Sequence, residues 1–69
     1  MANLGVQLLE AVKKRAEAEI ASAEANLNIL LNQSVGIGEH TDIVASIDLE
    51  VEKAAHAQEK LDYIDSLNL

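Results

Sequence analysis

The chain has 69 residues, with no cysteine, no proline, and twelve acidic against five basic residues, a formal charge of −7. A chain this short is one small domain whose own core rarely supplies more than roughly 3–5 kcal/mol, so it needs disulfides, a metal or association as a staple. Absence of cysteine excludes disulfides and thiolate metal sites, and the acidity repels nucleic acid and anionic membranes, which leaves association.

The opening residues Met1 to Val6 lack the basic start and apolar run of a signal peptide. No stretch approaches the ~20 apolar residues of a transmembrane span. A soluble, cytoplasmic protein is expected. From there to Gln33 nothing but Gly5 works against a helix, and Ala, Leu, Glu and Lys dominate. Apolar residues recur three or four apart at Leu9, Val12, Ala16, Ile20, Ala23, Leu27 and Leu30, the mark of one helix face. Glu10–Lys14, Lys13–Glu17 and Arg15–Glu19 stand four apart on the polar side, where ion pairs add a few tenths of a kcal/mol. The first helix is therefore expected over about 3–33.

Residues 34–41 form the turn. Gly36 or Gly38 can take the left-handed conformation that closes a helix, and Thr41 or Asp42 can cap the next one. Ile37 between the glycines is an apolar tip or a cover for the end of the core, and the turn is a candidate recognition loop. The second helix, about 42–67, carries Ile43, Ile47, Ala54, Ala57, Leu61 and Ile64 on one stripe with Val51 beside it. Glu50 interrupts that stripe. Spacing places it near the core, with rotation to the edge or pairing with Lys53 as alternatives. The fold class is all-α: one antiparallel two-helix hairpin spanning 1–69.

Each helix has apolar residues that one hairpin contact does not use. Leu4, Leu8, Ala11, Ala18, Ala25 and Ile29 lie off the main stripe of the first helix, and Leu49, His56 and Tyr63 off that of the second. The expectation is a dimer forming a four-helix bundle, with Leu4, Leu8, Ala18, Ala25, Ile29, Leu49, His56 and Tyr63 as candidate interface. An Ala-rich hairpin docking on a different, basic protein is the competing reading.

No motif calls for catalysis or a cofactor. Gly36-Ile37-Gly38 lacks the third glycine, preceding strand and lysine of phosphate loops, and a capping turn explains it. Di-metal bundles use paired Glu-x-x-His motifs. Here Glu52 and His56 are four apart without a second pair, so His56 is expected at an interface rim and His40 in the loop or cap. The serines have no His and Asp partners at plausible positions. Lys13-Lys14-Arg15 is interleaved with acids and has no aromatic neighbours, so it reads as a solvated face and not a nucleic-acid patch.

The stretch Ser34-Val35-Gly36-Ile37-Gly38-Glu39-His40-Thr41-Asp42-Ile43-Val44, with Ala57-Gln58-Glu59-Lys60-Leu61-Asp62 after it, resembles small acidic proteins of tailed bacteriophages, notably marine ones. These read as helix, VGxGEHxD turn, helix. Where members carry Pro before the Val or the Asp, this chain has Ser34 and Thr41, so its turn is less rigid. The resemblance implies a helical hairpin of viral or environmental origin, acting in a host cytoplasm if viral, and no activity.

Overall fold

The computed structural model describes residues 3–33 and 42–67. Two helices make up the described chain, α1 at Leu4–Gln33 and α2 at Ile43–Ser66. Gly36, Gly38, His40 and Thr41 lie outside the described residues. No described helix is long and apolar enough to cross a membrane.

Side chains that accept from the first free N–H groups start both helices. The Val6 N–H donates to Asn3 Oδ1 at 2.8 Å, and the Ala45 N–H donates to Asp42 Oδ1 at 2.9 Å. Each cap satisfies a donor that has no partner within its own helix. At the far end of α2 the Leu67 N–H donates to Ile64 O at 3.0 Å, and Leu67 itself is extended, which ends the helix.

Two cross-helix contacts fix the direction of packing. Lys13 Nζ lies 3.9 Å from Asp65 Oδ1, and Asn26 Nδ2 lies 3.0 Å from Glu50 Oε1. A step of 13 residues up α1 thus matches 15 residues down α2, so the helices run antiparallel, the end of α2 beside the start of α1. The intrahelical ion pairs expected along α1 are not closed; among the described residues the salt bridges are Lys13–Asp65 and Lys53–Glu50. Ordering two long exposed side chains costs about as much as such a pair gains in water, so Lys13 takes the cross-helix partner.

The contact between the helices is built on alanine. Among the described residues Ala16, Ala23 and Ala57 are buried, and no large side chain is fully enclosed. Around them Leu9, Ile20, Leu27, Leu30, Ile43, Ile47, Leu61 and Ile64 are half-buried. Val12 departs from its expected place on the core stripe and is 44 % exposed. It stands where a surface groove opens beside Ile64 and Tyr63.

The molecule is a rod of 55 × 19 × 14 Å with a radius of gyration of 16.2 Å, against roughly 11 Å for a compact domain of this length. Its accessible surface is 5437 Å², whereas a compact monomer of 7.4 kDa would expose roughly 4,200 Å². The excess, about 1,200 Å², reflects the elongated shape of the rod.

The Asp42 cap gives the first prediction. Asp42→Ala should cost about 1 kcal/mol of stability, and Asp42→Ser much less. Thermal midpoints at one fixed protein concentration should show the alanine variant melting roughly 4–8 °C lower.

Candidate functional site

The residues off the core stripe fall on rows. Leu4, Ala11, Ala18 and Ala25 are seven apart on α1, as are Leu8, Arg15, Ser22 and Ile29; Leu49, His56 and Tyr63 are seven apart on α2. Seven residues are nearly two turns, so each row runs along its helix. Of these rows, the structure brings Arg15, Ala18 and Ser22 of α1 and Leu49, His56 and Tyr63 of α2 to grooves on one side of the hairpin. One groove is lined by Arg15, Ala18 and Ser22 from α1 together with Lys53 from α2. A second shares Glu19 and Lys53 with it and adds Leu49, Glu52 and His56. A third continues from His56 to Lys60, Tyr63 and Val12.

All eight candidate interface residues are exposed in the hairpin. Leu4 at 68 %, Leu8 at 59 %, Ile29 at 55 % and Tyr63 at 67 % are the bulky ones. Tyr63 and Leu67, at the end of α2, stand beside Leu8 and Val12 because Lys13 is level with Asp65. Bulky groups thus occupy the two ends of this side, and Ala18, Ser22 and Ala25 its middle.

The opposite side has a different character. Glu10, Glu17 and Glu24 form an exposed row on α1 that ends at Leu31, and Val44, Val51 and Gln58 form a row on α2 that ends at Asp65. Three of the five basic residues, Arg15, Lys53 and Lys60, line the grooves instead. Charge is therefore unevenly spread: the grooved side is mixed, and the side behind it is predominantly acidic, with Lys13 and Lys14 as its bases on α1.

Glu50 is the one buried charged residue among those described, 9 % exposed, beneath the groove that Arg15 and Ser22 line. Its two oxygens have separate donors, the Asn26 amide at 3.0 Å and the Lys53 ammonium at 3.2 Å. The Asn26 hydrogen bond holds the Glu50 carboxyl below its ordinary range, burial works in the opposite direction, and Lys53 adds a hydrogen bond and its charge. Such hydrogen bonds favour the ionised form. Of the placements open from the sequence, the structure takes the inward one together with the Lys53 pair. Sequence reasoning did not find Asn26. Its position three residues after Ala23, on the flank of the core stripe, is the signal that marks it.

This arrangement is poorly suited to proton transfer. A general base at neutral pH needs a pKa raised toward 7, and Glu50 is moved the other way with both oxygens engaged. Among the described residues, no three His, Asp or Glu side chains come together in a manner that would hold a metal ion. Glu52 and His56 instead line a groove with Leu49. The chain matches no protein-family model, no curated protein and no solved structure.

Because the native pKa of Glu50 is depressed, its contribution to stability is complete above roughly pH 4.3, the unfolded value, and is lost as pH falls through the native one. Replacement by Gln removes that titration. The difference in thermal midpoint between the parent chain and Glu50→Gln should therefore narrow steadily as pH is lowered below about 4. By carboxyl NMR, Asn26→Ala and Lys53→Ala should each raise the Glu50 titration.

Proposed function

We propose that this chain is a non-enzymatic interaction protein whose hairpin self-associates, two copies forming a four-helix bundle. The observation that carries this reading is the accessible surface of 5437 Å² over a core of three buried alanines. Fully burying one Leu or Ile side chain contributes about 1.5–3 kcal/mol, and an alanine methyl roughly 0.8. The hairpin contact takes little of the larger kind. A second copy covers the apolar rows at once and supplies the missing staple without cysteine or cofactor.

A second reading draws on the exposed Glu10, Glu17 and Glu24 row. Seven-residue spacing sets these carboxylates about 10 Å apart along α1. An acidic ridge of this kind suits a small regulatory protein that docks on a basic host enzyme and stands in for nucleic acid. It requires capture of a basic protein that weakens as salt rises. It is compatible with self-association through the other side.

Sedimentation equilibrium at micromolar concentration should return a mass twice 7.4 kDa. The melting temperature should climb with protein concentration, as mass action demands of a folded dimer. A 7.4 kDa species that melts cooperatively at a temperature independent of dilution overturns the proposal.

A further inference from the structure

We infer that the second copy docks on the grooved side of the hairpin, the side of Leu8, Ser22, Leu49 and Tyr63, and that the acidic side stays in water. This assignment rests on the self-association proposed above and selects between the two broad sides of the rod.

The area is sufficient. A side of the 55 × 19 Å rod offers a footprint of about 1,000 Å² per copy, and specific interfaces remove about 800 Å² from each partner. It also matches the excess surface of the monomer, about 1,200 Å², to within the accuracy of the size relation.

Charge decides which side and which occupant. Each copy carries −7, so two copies avoid repulsion only by meeting where acids are balanced. The grooves hold Arg15, Lys53 and Lys60 against Glu19, Glu52 and Glu59. A partner of one sign meets the wrong charge somewhere on this surface, whereas a second copy presents both signs, as a two-fold interface requires. Joining the other sides would bring together two rows of Glu10, Glu17 and Glu24, beside which each copy has only Lys14 and the Asp65-paired Lys13 as bases on α1.

Shape agrees with charge. Ala18, Ser22 and Ala25 leave the middle of α1 low, so a facing helix approaches closely there. Leu4, Leu8, Tyr63 and Leu67 at one end, and Ile29 and Leu49 at the other, are large and exposed. They supply the apolar area.

Four single substitutions test the assignment, with mass by sedimentation equilibrium and helicity by circular dichroism. Leu8→Glu and Tyr63→Glu should weaken the dimer at least about tenfold, while Val44→Glu and Val51→Glu leave it within about twofold. The reverse pattern, or equal effects from both pairs, overturns the choice of side and leaves self-association standing. A monomeric parent chain overturns self-association itself. Because a dissociated hairpin can lose helicity, single cysteines in this cysteine-free chain give a second measurement. The thiol of Ser22→Cys should react with maleimide more slowly as protein concentration rises, and that of Val51→Cys should not. Equal rates at both positions, or protection of Val51→Cys alone, refute the assignment.

Discussion

Alanine at the helix contact is the constraint from which the rest of this molecule follows. Two helices can approach closely only where the facing side chains are small, and Ala16, Ala23 and Ala57 meet that condition. Close approach narrows the space between the axes, so the leucines and isoleucines alongside reach its edges and stay half-buried. A wider contact built on leucine would enclose those groups and leave less outside. Narrowness therefore has a direct effect on the outer surface. The same spacing that makes a tight hairpin pushes Leu4, Leu8, Ile29, Leu49 and Tyr63 outward, where a single hairpin has nothing to cover them.

Within that narrow contact, the Asn26–Glu50–Lys53 group does a different job. A buried carboxylate with two donors is weak support for stability, since desolvation consumes much of the gain. It does discriminate between registers. Sliding α2 by one turn would take the buried Glu50 carboxylate away from the Asn26 amide and leave that oxygen without its donor. The contacts at Ala16, Ala23 and Ala57 are small and non-directional, so they resist sliding poorly. The polar pair restores the specificity that the small residues lack. Every buried side-chain nitrogen and oxygen among the described residues has a partner, so the arrangement carries no standing penalty of that kind.

Much of this was legible in the residues, for physical reasons that differ by element. The two helices follow from uninterrupted helix formers and three-and-four spacing, signals that tertiary context seldom reverses. Their packing follows from the shortness of residues 34–41. Asp42, one of two residues suited to cap α2, is the one whose side chain accepts from Ala45. Val12 was misplaced because periodicity assigns a residue to a face but does not say where along the rod the two faces diverge. The ion pairs along α1 were misread because sequence spacing shows which charges are in reach, not whether holding them is worth the rotamer entropy. Asn26 was missed since its meaning depends on the cross-helix register, which the two contacts Lys13–Asp65 and Asn26–Glu50 define. Least legible of all was that the off-core rows of α1 and α2 share one side. Each helix alone gives only an angle, and only antiparallel packing turns two angles into a common surface.

In the proposed dimer, that common surface reconciles a charge of −7 with contact between copies. Uniformly spread acids would oppose any contact between copies, because two surfaces of like sign repel wherever they meet. Here the row Glu10, Glu17, Glu24 lies on one side of α1, and Arg15 lies on the other among the grooves. The helix separates them by angle alone, since residues two apart point in opposed directions. Excess acid therefore acts where it limits disorderly aggregation, and the mixed side is left free to be matched. In the proposed dimer the acidic ridges face outward on both copies, separated by the thickness of the bundle. At 14 Å per hairpin that separation exceeds the Debye length of about 8 Å at physiological ionic strength. In that dimer the ridges would act independently of one another, with the grooved side as the contact between copies.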